Sequence, residues 1–215
     1  MVTWLNTTFT SFDYNILKFF HELALKHRTV LTPIAHFLST IGNIPLLLIG
    51  WIGILLFVIK KDKKCGLMII FSIIIGSIIT TIIIKTIVYR PRPYDSGVLD
   101  YKIWWEMFGL ENDWDTSFPS GHVCAATAGV SGYYFWKKKK IVLLAYLYPL
   151  LMSCSRMYFC VHYPSDCIAG FIVGLSSALL CIPFVRALYK LFEKYPDHFL
   201  SRYCLTGSFK KQAGL

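Results

Sequence analysis

Three short segments of the chain carry residue types able to bind and move a phosphoryl group. Residues 85–93 open on Lys85 and close on Arg92 and Pro93. Residues 117–122 read Ser-Phe-Pro-Ser-Gly-His, and residues 155–166 hold Ser155, Arg156, His162 and Asp166. Lys85, Arg92 and Arg156 supply three cations for the equatorial oxygens of a phosphoryl transition state. Arginine suits that task because its guanidinium makes two parallel bonds to phosphate oxygens. Ser120 and Gly121 precede an apolar run. Backbone N–H groups at the start of a helix can bind an anion there, and glycine allows close approach.

Two histidines complete the set. One imidazole can attack phosphorus and the other can protonate the leaving oxygen. His162 has Asp166 four residues on, with Pro164 between them suited to a first helical turn. A carboxylate can hold an imidazole in the tautomer that leaves its other nitrogen bare. The expected roles are therefore His162 as nucleophile, Asp166 as its orienter and His122 as general acid. In a second half-reaction His122 would act as base toward water. His21, His27, His36 and His198 are expected to be packed polar groups, and Lys85 or Arg90 could alternatively snorkel to a membrane surface.

The elements that must position these residues are apolar helices. Of the 215 residues 55% are hydrophobic and 16% charged, and the apolar residues fall in long stretches. The expected fold class is all-α: a polytopic membrane bundle of about five transmembrane helices plus an N-terminal interfacial helix. The spans are read at residues 44–59, 67–88, 123–136, 141–158 and 167–188. The third is short and must be extended by its flanks or buried by protein. Residues 12–27 read as the interfacial helix, or as one packed on the bundle. Residues 29–42, broken by Pro33 and His36, read as a short or re-entrant helix. One domain over residues 1–215 is expected, divided into 1–43, a core at 44–188 and a tail at 189–215.

Charge sets the orientation. The net charge is +10, but the basic residues gather in blocks: Lys60, Lys61, Lys63 and Lys64, then Lys137 to Lys140, then Arg186, Lys190, Lys194, Arg202, Lys210 and Lys211. In a five-span chain these blocks share one side, which should be cytoplasmic. The three chemical segments end on the opposite side. So does the loop 94–118, with Asp95, Asp100, Glu106, Glu111, Asp113 and Asp115, and with Trp104, Trp105 and Trp114 as expected interfacial anchors. This blockwise pattern argues against nucleic-acid binding. The seven cysteines form no CxxC pair, which argues against a zinc site. A Cys160–Cys167 disulfide is not expected. The N-terminal region shows no pattern of a cleavable signal peptide.

Lys85-x(6)-Arg92-Pro93, Pro119-Ser120-Gly121-His122 and Ser155-Arg156-x(5)-His162-x(3)-Asp166 together resemble the signature of the type 2 phosphatidic acid phosphatase family, which includes the vanadium haloperoxidases. No signature position departs. The motifs run from residue 85 to 166, and the span pattern extends the likeness to about 44–188. The resemblance implies a helical, metal-independent membrane phosphatase without cofactor, acting on a lipid phosphate through a phosphohistidine. It also implies a site facing away from the cytoplasm. Many bacterial members have a further span ahead of the interfacial helix. Its absence from this sequence resembles small undecaprenyl-diphosphate phosphatases, so undecaprenyl diphosphate is the expected substrate. Phosphatidylglycerophosphate, phosphatidate or lipid A 1-phosphate remain alternatives, as does a lipid phosphotransferase. The complete set of His122, His162 and Asp166 argues against a non-catalytic channel or binding protein.

Overall fold

The computed structural model describes residues 2–43, 45–58, 62–110 and 115–205, and their regular structure is helical throughout. Ile44, Ile59, Lys60, Lys61, Glu111, Asp113, Trp114, Lys210 and Lys211, named above, lie outside the described residues.

Two helices, α1 (Val2–Thr8) and α2 (Thr10–Asn43), form the N-terminal part. Two separate elements were expected over residues 12–42, but α2 runs through both as one helix with a kink. The break is at His27, whose φ of −132° and ψ of 26° leave the helical region. Pro33 follows six residues later; it lacks the N–H for the turn behind it. Leu17, Ala24 and Ala35 are buried, so both halves pack on the bundle.

Next come α3 (Pro45–Val58) and α4 (Lys63–Ser77). Asp62 caps α4, its side chain accepting from the Cys65 N–H at 3.2 Å. The helix widens into a π-helical stretch, Ile78–Ile84, and closes as α5 (Lys85–Val88). Tyr89 ends it in the left-handed conformation (φ 50°), and Pro91 and Pro93 forbid its continuation. A short helix, α6 (Leu99–Glu106), leads to α7 (Gly121–Lys137). A 3-10 segment, Lys140–Tyr146, then opens α8 (Leu147–Tyr158). The chain continues through α9 (Pro164–Lys194) and α10 (Phe199–Leu205).

The centre of the bundle is α7, packed most extensively against α9 and α4. Its residues from Val123 to Gly132 are buried. This resolves the shortness of the third expected span, since neighbouring helices rather than lipid surround it. Close approach depends on small residues, as expected where lipid tails remove the hydrophobic drive for helix association. A Cβ on Gly174 would stand 2.5 Å from the Cys124 carbonyl oxygen, and one on Gly170 2.5 Å from that of Ser120.

Among the described residues, three helical stretches are long and apolar enough to cross a membrane: Lys63–Asp95, Lys140–Tyr158 and Pro164–Lys194. The 14-residue α3 and 17-residue α7 are shorter than that. The fifth expected span continues past residue 188 to Lys194. At one end of the bundle Lys137 pairs with Asp62, and the Lys63 ammonium meets the Tyr203 carbonyl. The lysine-bearing connections therefore share that end with α10, while the three chemical segments sit at the opposite ends of α5, α7, α8 and α9.

Two smaller expectations change. Trp104 is only 7% exposed and is core rather than an interfacial anchor; it stacks on His21 with centroids 5.0 Å apart. All seven cysteines are free thiols, Cys160 and Cys167 included.

Candidate active site

Asp166 lies in the first turn of α9, which Pro164 opens without loss because an N–H there has no intrahelical acceptor. Its buried carboxylate accepts three hydrogen bonds. Oδ2 takes the Tyr163 N–H at 2.9 Å and the Ser117 hydroxyl, and Oδ1 takes Arg90 Nη1 at 2.7 Å.

His162 sits in the turn between α8 and α9, where Cys160 holds a left-handed backbone (φ 53°). The imidazole is 1% exposed. Nδ1 is 3.6 Å from Asp166 Oδ2, too long for the direct hydrogen bond expected from the sequence. Ser117 lies between them instead, its Oγ 3.3 Å from Nδ1. The Ser117 hydroxyl donates to Asp166, so its oxygen is left to accept from Nδ1–H. That sequence of bonds assigns the proton to Nδ1 and leaves Nε2 bare. Burial, and then the positive charges of Arg92, Arg156 and Lys85, push the His162 pKa well below the usual histidine value and keep the ring neutral.

The same cations surround His122, in the first turn of α7. Arg92 is buried; its Nη1 donates to the Val161 carbonyl at 2.9 Å, tying the first motif to the His162 turn. Arg156, in the last turn of α8, reaches Ser39 Oγ of α2 at 2.9 Å. Lys85 and Arg92 both bind the Asp115 carboxylate. Burial would raise the Asp115 pKa, but its bonds to Lys85 and Arg92 more than offset that and hold it at about 2. Asp115 thus occupies two of the three cations with a carboxylate.

Ser120 and Gly121 open α7, but the Ser120 N–H is not available to an anion: it donates to the Asp166 carbonyl at 3.0 Å. What Ser120 offers is its hydroxyl, buried and without a hydrogen-bond partner among the described residues. A phosphate oxygen is a chemically suitable acceptor for it. Among the described residues no group of three or more His, Cys, Asp or Glu side chains could hold a metal ion.

Four residues at this site carry no role in the sequence reading. Ser117 opens the second segment, and its place just ahead of Pro119-Ser120-Gly121-His122 was the available signal. Arg90 is buried at 1% exposure and does not snorkel. Asp115 was legible only as one acidic residue of a loop. Asp13 of α2 meets Arg90 at 2.8 Å across 77 positions, and no local pattern announced it.

The PAP2 superfamily model matches residues 66–190. A stretch of 126 residues is 29% identical to an undecaprenyl-diphosphatase of Sulfolobus acidocaldarius, covering 58% of this chain and 58% of that protein. The bacitracin transport permease protein BcrC of Bacillus licheniformis is 24% identical over 201 residues, 87% of this chain and 90% of the relative. The undecaprenyl-diphosphatase BcrC of Bacillus subtilis is 28% identical over 189 residues, 84% and 92% respectively. The chain therefore spans somewhat over half of the Sulfolobus relative and about nine-tenths of the two BcrC proteins. The crystal structure of Aquifex aeolicus LpxE shares the fold, with a TM-score of 0.54 at 22% identity over 76% of this chain and 92% of that one. The family match takes in more than half of the sequence, and the chain belongs to the PAP2 superfamily, a family of phosphoric ester hydrolases.

Proposed function

We propose that the chain is a membrane lipid phosphatase that works through a phosphohistidine at His162, with undecaprenyl diphosphate as its substrate. The observation that carries the mechanism is the bonded series His162–Ser117–Asp166 set among Lys85, Arg92 and Arg156. Nε2 of His162 attacks phosphorus while the bond to the leaving oxygen breaks, and His122, which takes up a proton once the bound phosphate's negative charge offsets the surrounding cations, gives that oxygen its proton. Water then attacks the phosphohistidine, His122 takes the water's proton, the P–N bond breaks and inorganic phosphate departs. Lys85, Arg92, Arg156 and the Ser120 hydroxyl stabilise the equatorial oxygens, with Gly121 allowing close approach. No step calls for a metal or a cofactor.

The isoprenoid substrate is supported by the two undecaprenyl-diphosphatase relatives. The lysine-bearing end of the bundle is assigned to the cytoplasm and the site to the outer face, on the positive-inside argument. Residues 44–188 are assigned as the catalytic core, and the described residues 2–43 pack beside it.

The test is phosphate release by purified protein in detergent from undecaprenyl diphosphate, phosphatidylglycerophosphate, phosphatidate and lipid A 1-phosphate. A preference for the isoprenoid supports the assignment, and a preference for phosphatidate ends it. Appearance of a phosphorylated acceptor lipid in place of inorganic phosphate would make the protein a phosphotransferase.

A further inference from the structure

Asp166 has two oxygens, and the transfer chemistry engages one. The other, Oδ1, faces a buried cluster that lies mostly outside the signature. Arg90 Nη1 donates to Asp166 Oδ1 at 2.7 Å and to Ser165 Oγ at 2.8 Å. Its Nη2 donates to Asp13 Oδ2 at 2.8 Å and its Nε to Asn6 Oδ1 at 2.9 Å. The guanidinium carbon lies 3.7 Å from the centroid of the Tyr163 ring. Asp13, also 1% exposed, accepts the Ser165 N–H at 2.9 Å and the Ser165 hydroxyl at 2.7 Å. One guanidinium thus joins α1, α2 and the first turn of α9, and two of these elements precede the family match at residue 66.

Two physical points separate the possible roles of Arg90. Its three nitrogens are all directed at Asp166, Ser165, Asp13 and Asn6, so it is not a phosphate ligand. A buried ion pair is also weak evidence for stability, because desolvating the charges consumes most of their attraction. What this cluster does supply is geometry. A planar fork fixes the carboxylate plane of Asp166 in a way a single point charge would not.

We infer that Arg90, clamped by Asp13, is a positioning residue for phosphoryl transfer: it sets the Asp166 carboxylate and, through Ser117, the aim of His162. This rests on the proposed roles of His162 and Asp166. It adds the N-terminal helices to the catalytic apparatus, through a carboxylate that no signature position contains.

Full-length Arg90→Gln, Arg90→Lys and Asp13→Asn, with wild type and His162→Ala as references, would be assayed in detergent on the lipid phosphate that wild type turns over. Misaiming a nucleophile by about 1 Å costs on the order of a hundredfold, so Arg90→Gln should lower kcat by about ten- to a hundredfold. KM and the inhibition constant of inorganic phosphate should stay near wild type, while the thermal midpoint falls because Asp13 and Asp166 lose their buried partner. Arg90→Lys should recover part of kcat, and Asp13→Asn should lower kcat less than Arg90→Gln while leaving KM unchanged. Wild-type kcat in Arg90→Gln would overturn the inference. So would a joint loss of kcat and phosphate affinity with Arg90→Lys no better than Arg90→Gln, which describes a fold tie. If Arg90→Gln does not fold, Asp13→Asn decides, and wild-type kcat in that variant overturns the inference. Activity surviving in His162→Ala would instead remove the proposed mechanism itself, a separate outcome.

Discussion

Replacing Gly170 by alanine tests whether the spacing of α7 and α9 sets the site. The new Cβ would lie 2.5 Å from the Ser120 carbonyl oxygen, where ordinary contact begins at 3.4 Å. The obstacle is backbone, so the helices must part by about 0.9 Å at that level, the difference between those two distances. Overpacking of this kind costs about 1–3 kcal/mol of stability. Ser120 leads into His122, and Gly170 lies one turn beyond Asp166, so the same displacement separates the general acid from the nucleophile's support. A misplacement near 1 Å lowers turnover about a hundredfold, or ~2.7 kcal/mol at 1.36 kcal/mol per tenfold. The assay is kcat for phosphate release in detergent, measured beside the thermal midpoint. Gly174→Ala is the control: its Cβ meets the Cys124 carbonyl at the same 2.5 Å but one turn farther from the site. It should lose comparable stability and less turnover. A folded Gly170→Ala protein with wild-type kcat would show that the interhelix distance does not govern the chemistry.

Further outcomes are expected. His162→Ala should abolish turnover and the acid-labile phosphoenzyme expected of the wild type on rapid alkaline quench; undiminished phosphate release would refute the nucleophile. Asp115→Ala should tighten inhibition by inorganic phosphate. The fall of the Asp115 pKa from 3.8 to about 2 corresponds to ~2 kcal/mol, roughly halved for its exposure, or about fivefold in affinity; weaker phosphate binding would refute the competition. Because the folded His162 pKa is depressed, the neutral nucleophile persists below pH 6.5 and is lost only at more acid pH. The acid limb of kcat/KM should therefore lie below 6.5, and a limb at or above 6.5 contradicts the cation-lined pocket. EDTA should leave the rate unchanged, and strong inhibition would revive a metal mechanism.

The helical class was legible because apolar runs act locally; the kink at His27 was read as a boundary between two elements, with Pro33 and His36 taken as the breaking residues. The residues of the three motifs were equally visible, since their types and spacing are local too. The order of bonds among them was not. Whether Asp166 touches His162 directly or through Ser117 depends on a few tenths of an ångström, set by how α7 seats on α9. Likewise, Ser120 lost its N–H to the Asp166 carbonyl, a tertiary contact with no periodic trace. Asp13 was invisible for a stronger reason: on an amphipathic helix a lone carboxylate reads as a solvated face until its buried counter-ion is known. Trp104 misled in the same way, because a tryptophan in an acidic loop has the composition of an interfacial anchor, yet here it packs under α2.

The hydrogen bond from Ser120 N to Asp166 O stitches the second motif to the third through main chain alone. Exchange of side chains away from the glycine seam leaves such a stitch in place, so substitutions there can retune either histidine without separating the two. Recombination behaves differently. A chimera that imports α9 from a relative while keeping the native α7 inherits a seam whose spacing was settled by Gly170 and Gly174 on one side and by Ser120 and Cys124 on the other. Functional hybrids should therefore exchange the two helices together, with crossover points in the lysine-bearing connections at the far end.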